Sequence, residues 1–574
     1  MIREMEAVNR RCSGTGKDDR MDRKSAAKTL REIGRLLELS GENPHRVRAF
    51  HGASRAVERA DGDLVELVAS GRILELKGVG KGTAAVLEDL AAGRRPQALA
   101  EAEEKVPPGV REMRARPGLG PKKVRTIWRD LGVENPGELE YACRENRLVE
   151  LKGFGSKSQA TMLEALHFLG RARERRLVHQ ATILAEDLGG LLTDRPDVSS
   201  VVVAGEVRRR SETVGEIALV VNLGAAGDPD RIARSLGAAD EIADGRWTVA
   251  SDDGIPVQLW FCPPADSADA LIRATGSEDF VEALWSRGSD STGRSGAVSG
   301  DDEAAVFERL GVPWIPPELR DDPGWIDRAV ANGVPALVEA ADLRGVLHNH
   351  TTDSDGAASL EEMAAAAADK GWAFFGVADH SPAAFYANGV DAARLREQWA
   401  RADAWNEAHP GTRIVKGLEA DILPDGRLDI PDGCGSGLEY VVASVHSSFR
   451  LDEATQTRRL VTAVSDPACR VLGHPTGRLL LARPGYAVDL EQVFAACAEH
   501  DVAVEINASP YRLDLDSIWA RRALDRGLKL VVNPDAHSVE GLDDVQWGLA
   551  VARRAGATRD DLVYCMDIED FLSR

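Results

Sequence analysis

The pattern of apolar and polar positions changes three times along the chain. Residues 1–20 have no apolar periodicity, which predicts a disordered tail. Residues 21–180 show apolar residues at helical spacing, for example in TAAVLEDL and KVRTIWRDL. From about Asp197 the pattern becomes that of strands, with VSSVVVAG, EIALVVNLG, WTVAS and IPVQLWF as the clearest examples. These changes predict several domains, as the length of 574 residues also requires.

Beyond residue 343, short apolar runs alternate with helical segments such as LEEMAAAAADKG and DLEQVFAACAEH. The seven runs, each ending in polar residues, are GVLHNH, FFGVADHS, RIVKGLEAD, YVVASVHS, RVLGHP, VAVEINAS and KLVVNPDAH. Alternating strands and helices predict a parallel sheet, and polar residues at carboxyl ends of strands are typical of (β/α) barrels. The pattern therefore predicts a barrel-like α/β fold of seven strands behind the helical and α+β regions.

Three copies of a Gly-hydrophobic-Gly turn occur between helical segments in the first third of the chain. Each is followed by a lysine, and the next helix offers free N–H groups to an anion. The repeats resemble the helix-hairpin-helix module, which implies contacts to DNA phosphates without reading of sequence. The predicted contact residues are Gly78, Gly80, Lys81, Gly118, Gly120, Lys122, Gly153, Gly155 and Lys157.

The charge is divided unevenly between the two parts of the chain. The net charge is −22, but residues 1–180 hold 35 Lys+Arg against 27 Asp+Glu, which leaves 36 basic and 66 acidic residues behind them. This division predicts phosphate contacts in front and cation binding behind. The seven cysteines form no Cys-x-x-Cys pair. This pattern argues against disulfides and against a thiolate metal site, and it favours a reducing cytoplasm. No apolar run is long enough to span a membrane.

Histidines and carboxylates gather at the ends of the seven runs. The candidate ligands are His348, His350, Asp355, His380, Glu419, His446, His474, Asp535 and His537. Alternate strand residues share a face, so each His-x-His or Asp-x-His pair can hold one ion. Nine ligands exceed the needs of one ion and predict two or three, with Mn²⁺, Zn²⁺ or Fe²⁺ all compatible with imidazole and carboxylate. Arg478 and Arg483 are candidate phosphate clamps.

The motifs that contain these ligands resemble those of the PHP (polymerase and histidinol phosphatase) family. They include Ser354-Asp355-Gly356, Asp379-His380-Ser381 and Asp535-Ala536-His537. All nine family ligand positions are filled, and the resemblance implies a trinuclear phosphoesterase site on a distorted seven-stranded barrel.

Over nearly the whole chain the order of domains resembles that of bacterial family X DNA polymerases. Four segments carry this likeness, namely Asn43 to Phe50, GEVRRRSETVG, Thr275-Gly276-Ser277 and WIPPELR. The implied domains are a tail (1–20), a helical helix-hairpin-helix domain (21–100), a fingers-like region (101–180), a palm (181–265), a thumb-like region (266–335) and a PHP domain (336–574).

The palm departs from the polymerase pattern at its three carboxylate positions. The residues at these three positions are Glu216, Ala218 and Gln258. Two of the three metal-binding carboxylates are therefore absent. Without them the electrostatic stabilisation of nucleotidyl transfer is missing. Arg273 and Ala274 replace an aromatic pair, and Val86 replaces the lysine that the related lyase activity uses.

We therefore expect a cytoplasmic, nucleoid-associated DNA-repair phosphoesterase of the 3′–5′ exonuclease, abasic-site endonuclease or 3′-phosphatase type on an inactive palm. Its expected partner is gapped, nicked or abasic DNA, bound without sequence preference and away from membranes. The alternatives are an active gap-filling polymerase with a PHP exonuclease, a histidinol-phosphatase-like enzyme for small molecules, and a DNA-binding scaffold without activity.

Overall fold

The computed structural model describes most of the chain. The described residues are 23–60, 63–114, 119–149, 151, 153–170, 175–243, 245–251, 254–288, 302–565 and 567–573. The predicted tail and Gly118 lie outside these ranges. The chain divides into two compact units, residues 1–139 and 140–574. Among the described residues, no helix is long and apolar enough to cross a membrane.

The first unit is helical, as its periodicity predicts. Its helices are α1 (Arg23–Ser40), α2 (Pro44–Glu58), α3 (Leu64–Ala69), α4 (Lys81–Ala91), α5 (Gln97–Glu104), α6 (Pro108–Arg114), α7 (Pro121–Leu131) and the first half of α8 (Pro136–Arg144). Asn43 caps α2 by accepting from the backbone N–H of His45 at 2.8 Å. The apolar faces of these helices meet in a core that includes Leu30, Ile33 and Val124.

The second unit begins with the end of α8 and with α9 (Ser156–Gly170) and contains a five-stranded mixed sheet. Its elements are β1 (Arg176–Leu177), α10 (Val178–Thr193), β2 (Val198–Ala204), α11 (Gly205–Arg208), β3 (Thr213–Val214), β4 (Ile217–Leu223), α12 (Pro229–Arg234), β5 (Ala239–Ala243), β6 (Arg246–Ala250) and β7 (Pro256–Cys262). The strand order is β2-β4-β7-β6-β5, and only β4 and β7 run parallel. All four strands predicted here are confirmed, whereas β5 is an additional strand.

In the described part of residues 266–335, four helices with their own apolar core follow this sheet. They are α13 (Ser267–Thr275), α14 (Glu278–Ser286), α15 (Glu303–Arg309) and α16 (Gly324–Asn332). Glu303 accepts hydrogen bonds from Arg208 on α11 at 2.7 and 2.8 Å and from Arg320 at 2.7 and 3.1 Å. Because Arg320 is completely buried, this three-residue network ties the helices to the mixed sheet through a desolvated contact.

The last 230 residues form a parallel barrel of seven strands. The elements are β8 (Gly345–Val346), α17 (Leu360–Asp369), β9 (Phe374–Val377), α18 (Ala392–Ala408), β10 (Arg413–Asp421), β11 (Tyr440–Ser444), α19 (Glu453–Val464), β12 (Cys469–Leu472), α20 (Leu490–Glu499), β13 (Ala503–Asn507), α21 (Ser517–Asp525), β14 (Leu530–Asn533), α22 (Val545–Arg554) and α23 (Ile568–Leu572). The strands follow chain order from β8 to β14, and all neighbours are parallel.

The barrel is nearly closed, since the chain just beyond β8 meets the chain just beyond β14. Asn349 and Ala536 form a parallel bridge, and the backbone N–H of His350 donates to the carbonyl of Ala536 at 2.9 Å. Each of the seven predicted apolar runs overlaps one strand, and LEEMAAAAADKG and DLEQVFAACAEH contain α17 and α20. The predicted fold class is thus confirmed, and the closure brings the polar strand ends to one rim.

Candidate metal centre

All nine predicted ligands converge at the carboxyl ends of the barrel strands. Eight lie just beyond a strand or in the loop that follows it, and Glu419 lies within β10. Eight of the nine residues are less than one-tenth exposed, and His446 is partly buried. The barrel thus removes from water a set of side chains that almost never enter a core without a partner.

Glu419 lies at the centre of the cluster. One of its oxygens is 3.2 Å from His348 Nε2, 3.3 Å from His446 Nε2 and 3.1 Å from His474 Nε2. The other oxygen is 2.8 Å from His380 Nδ1. A single carboxylate is therefore surrounded by imidazoles from β8, β9, β11 and β12.

The other two carboxylates complete a second side of the cluster. Asp535 Oδ1 lies 3.0 Å from His350 Nε2, and Asp355 approaches His380 Nε2 at 3.5 Å and His537 Nε2 at 3.4 Å. The described groups whose ligand atoms lie within 4.8 Å of one another include His350 with Asp355, His380 and His537, His348 with His350 and Asp535, and His380 with Glu419 and His446. Overlapping groups of this kind fit more than one ion.

The electrostatics of the site favour ionised carboxylates and divide the six histidines into two groups. Burial opposes protonation of the imidazoles, but neighbouring carboxylates outweigh it and raise the pKa of His348, His380 and His446, and raise that of His537 to about 9. Burial opposes ionisation of Glu419 and Asp535, but the surrounding histidines hold the pKa of both carboxyl groups well below the usual range. Burial and the neighbouring His537 lower the pKa of His350 to about 3, and burial and Arg512 lower that of His474 to about 4. Neutral imidazole and carboxylate are the forms that bind a divalent cation.

Several buried atoms of the cluster lie within ion-pair distance of a neighbour but make no hydrogen bond of ordinary geometry within the described residues. These atoms are His348 Nε2, His350 Nδ1, Asp355 Oδ2, both ring nitrogens of His380, Glu419 Oε2, His474 Nδ1 and His537 Nε2. Buried polar atoms normally have partners, and each one without a partner costs about 1–3 kcal/mol. The donor set contains only imidazole nitrogen and carboxylate oxygen, so the residues fit a group of divalent ions.

Two further carboxylates contact the candidate ligands, and the sequence analysis missed both of them. Glu505 on β13 lies 2.7 Å from His348 Nδ1 and accepts from the backbone N–H of His474 at 2.6 Å. Asp421 on β10 lies 2.6 Å from His446 Nδ1. A carboxylate on the second ring nitrogen fixes the ring and leaves Nε2 to face the metal. Strand periodicity was the available signal, because Asp421 and Glu419 are two residues apart.

Two of the ligands adopt left-handed backbone conformations. His474 has φ = 23° and Asp535 has φ = 54°, both outside the region that most residues prefer. Such strain costs on the order of 1–3 kcal/mol and persists where the surroundings fix the conformation. The barrel thus keeps these two side chains aimed at the cluster against their local preference.

The two arginines predicted as phosphate clamps have other contacts in this structure. Arg478 Nε donates to the carbonyl of Arg512 at 3.1 Å, and its Nη2 pairs with Glu212 at 3.0 Å. Arg483 donates to the carbonyl of Gly477 at 2.9 Å and lies 4.2 Å from the ring centroid of Phe449. The clamp role of both residues stays a prediction.

Arg512 is a buried guanidinium that the sequence analysis did not single out. It follows β13, is 3 % exposed, and its Nε lies 3.9 Å from Asp535 Oδ2 and donates to the hydroxyl of Tyr141 at 2.8 Å. The loop after β13, which carries Arg512, contains no recognisable motif. Sequence alone therefore does not distinguish Arg512 from other loop arginines such as Arg478 and Arg483.

The three altered palm positions lie close together at the start of the neighbouring strands β4 and β7. Ala218 and Gln258 are register partners, and Gln258 Nε2 donates to Glu216 Oε2 at 3.2 Å. Trp260 Nε1 donates to Gln258 Oε1 at 2.8 Å. Glu216 and Gln258 border a cleft of about 1210 Å³ that Arg209 and Arg273 also line. The polar atoms of Gln258 therefore already have protein partners.

The described residues of the glycine repeats occupy equivalent places in three helices. Lys81 is the first residue of α4, and Lys122 and Lys157 are the second residues of α7 and α9. All three lysines are exposed. Gly78 has φ = 111°, which a larger residue rarely adopts, and Gly80 and Gly120 are N-caps.

Comparison with known sequences matches family models to four segments of the chain. Residues 21–95 match the helix-hairpin-helix domain, residues 111–167 the SAM-like helix-hairpin-helix tandem, residues 282–321 the DNA polymerase beta thumb and residues 347–509 the PHP domain. A "Probable phosphatase" of Thermoanaerobacter sp. (strain X514) is 29 % identical over 38 % of this chain and 89 % of its own length.

The likeness to one relative extends over the whole chain. The protein named "DNA polymerase/3'-5' exonuclease PolX" of Bacillus subtilis (strain 168) is 32 % identical over 96 % of this chain and 100 % of its own length. Together with the helix-hairpin-helix, thumb and PHP matches, this places the chain in the bacterial family X DNA polymerases that carry a C-terminal PHP domain.

Proposed function

We propose that this protein is a metal-dependent DNA phosphoesterase of repair, acting near 3′ ends, whose palm no longer polymerises. The observation that carries the proposal is a contrast within one unit. The barrel keeps nine candidate ligands, seven of which have buried atoms without hydrogen bonds, whereas the palm holds Ala218 and a hydrogen-bonded Gln258 where carboxylates are needed.

The chain's own residues have separable roles in hydrolysis. The nine residues would hold divalent ions, which when bound would supply Lewis acidity for hydrolysis of a phosphodiester by water. Glu505 and Asp421 orient His348 and His446 through their Nδ1 atoms. Arg512 is the buried guanidinium beside Asp535 and is suited to a phosphate oxygen. Arg478 fixes the backbone that carries Arg512.

DNA would be held by its backbone at the glycine turns. The exposed lysines Lys81, Lys122 and Lys157 stand at helix N-termini, where free N–H groups and the helix dipole favour phosphate. Contacts of this type carry no sequence information, so gapped, nicked or abasic DNA is the expected substrate.

The test is incubation of purified protein with Mn²⁺ and 5′-labelled gapped DNA, with and without dNTPs. The matched variant is His348→Ala with His350→Ala. We expect shortening from the 3′ end in the wild type, none in the variant, and no extension with dNTPs.

Other outcomes would point to the alternative functions. The Bacillus subtilis relative is named as a polymerase as well as an exonuclease, and extension by dNTPs would support that activity here and contradict an inactive palm. If the DNA is neither shortened nor extended, hydrolysis of histidinol phosphate would support a small-molecule phosphatase. Inactivity on both substrates would leave a DNA-binding scaffold.

A further inference from the structure

A segment from outside the barrel lies against the metal centre. It consists of residues 140–149, the end of α8 and the turn after it, and belongs to the same compact unit as the barrel. The hydroxyl of Tyr141 accepts from Arg512 Nε at 2.8 Å, and the guanidinium of Arg144 lies 4.7 Å from the ring centroid of Tyr511. The segment therefore packs on the loop that follows β13.

Glu145 extends from this segment into the ligand cluster. The residue is 8 % exposed, and its Oε2 lies 3.1 Å from His537 Nε2 and accepts from the hydroxyl of Tyr141 at 3.1 Å. Its carboxylate, with Asp535 and His537, forms a group whose ligand atoms all lie within 4.8 Å of one another. The sequence analysis did not select Glu145, which lies about 200 residues before the first barrel ligand.

A second observation points to a cation between these groups. His537 Nε2 is buried and has no hydrogen bond, although Glu145 Oε2 and Asp355 Oδ1 lie 3.1 and 3.4 Å away. A buried carboxylate requires a cationic partner. The guanidinium of Arg147, the nearby cation on the same segment, lies over the rings of Tyr141 and Tyr386 at 5.6 and 5.1 Å.

We propose that Glu145 is a further ligand of the metal centre, bound to the ion that Asp535 and His537 hold, and that it competes there with a phosphate oxygen. This inference rests on the proposed phosphoesterase function of the barrel. It makes the segment 140–149 a cover that a substrate must displace, because a carboxylate and a phosphate oxygen are equivalent hard ligands for a divalent cation.

The decisive measurement is Mn²⁺ binding by calorimetry to metal-free wild type and Glu145→Gln, with metal content determined after dialysis. We expect the weakest Mn²⁺ site to lose about 10-fold in affinity, as removal of supporting groups at metal sites does. The control is Glu140→Gln on the same helix, whose carboxylate pairs with Arg144 at 3.6 Å and should leave affinity unchanged. Equal Mn²⁺ affinity in wild type and Glu145→Gln would overturn the proposal.

A second measurement needs no variant and covers the case in which Glu145→Gln does not fold. Mn²⁺ should slow amide hydrogen exchange in residues 141–149 of the wild-type chain, and unchanged exchange would overturn the proposal. Neither readout depends on DNA cleavage. If Glu145→Gln weakens Mn²⁺ binding but the wild type hydrolyses no DNA, Glu145 is a ligand and the phosphoesterase function is refuted. If the wild type cleaves DNA but Glu145→Gln binds Mn²⁺ with unaltered affinity, the phosphoesterase function stands and the ligand role is refuted.

Discussion

The barrel rim and the palm cleft place polar side chains at strand ends in the same unit, yet they leave those side chains in opposite states. At the rim, atoms of His348, His380 and Glu419 are buried without hydrogen bonds. In the cleft, the amide of Gln258 is bonded on both sides, to Glu216 and Trp260. Buried atoms without hydrogen bonds are typical of a site that binds an ion, whereas a polar group bonded on both sides needs no ion to satisfy it.

The largest expected effect is a difference in hydrolysis between two Glu→Gln variants, one at the barrel rim and one in the palm cleft. Glu419→Gln removes the carboxylate that four histidines contact and should lower Mn²⁺-dependent hydrolysis of 3′-end-labelled DNA more than about 100-fold. Glu216→Gln should change it less than about 2-fold. A large loss in Glu216→Gln would mean that the palm takes part in hydrolysis and would break the comparison.

The palm should nevertheless matter for stability. Burial alone would raise the pKa of Glu303, but hydrogen bonds from Arg208 and Arg320 outweigh it and lower the pKa to about 2. Glu303→Gln should lower the free energy of unfolding by roughly 3 kcal/mol, since it leaves buried Arg320 without its charge partner. Urea unfolding followed by tryptophan fluorescence measures this.

The pH dependence has a definite sign. The folded pKa of Glu303 is depressed, so its contribution is complete above the unfolded value of about 4.3 and disappears as pH falls toward 2. The wild type should therefore lose stability over that window, and Glu303→Gln should lose less. Equal acid sensitivity in both proteins would exclude Glu303 as a structural anchor of the palm.

Returning carboxylates to the palm would sharpen the comparison further. Ala218→Asp with Gln258→Asp places two acids at buried or half-buried register partners. In EDTA we expect a loss of about 2 kcal/mol in unfolding free energy, with Mg²⁺ restoring much of it by binding the folded state. Ala218→Asn with Gln258→Asn is the isosteric control and should not respond to Mg²⁺. The same absence of response in the acidic variant would show that more than the carboxylates has been lost.

The smallest expected effect concerns the support of the barrel ligands. Glu505→Gln weakens the contact to His348 Nδ1 and should reduce Mn²⁺ affinity about 10-fold, or roughly 1.4 kcal/mol. Glu499→Gln, on the exposed end of α20, is the control. Calorimetric titration with Mn²⁺ distinguishes the two variants, and equal affinities would assign Glu505 to folding alone.

The sequence predicts the barrel well because its information is local. Each strand is a short apolar run, and each ligand follows within a few residues, so parallel topology alone brings them together. The contacts of Glu145 with His537 and of Tyr141 with Arg512 were not predictable, because they join residues hundreds of positions apart without a shared motif. Strand β5 was missed because its sequence, ADEIA, lacks β-branched residues at most positions.

The bridge between Asn349 and Ala536 has a consequence for synthesis of the protein. His350 and Asp535, 3.0 Å apart, are separated by 185 residues, so this pair cannot form on the ribosome until almost the entire barrel has emerged. At about 5–20 residues per second, some ten to forty seconds separate the two ligands. If one ion is held by both residues, its second ligand arrives only when translation is nearly finished, after the helix-hairpin-helix domains have had time to fold.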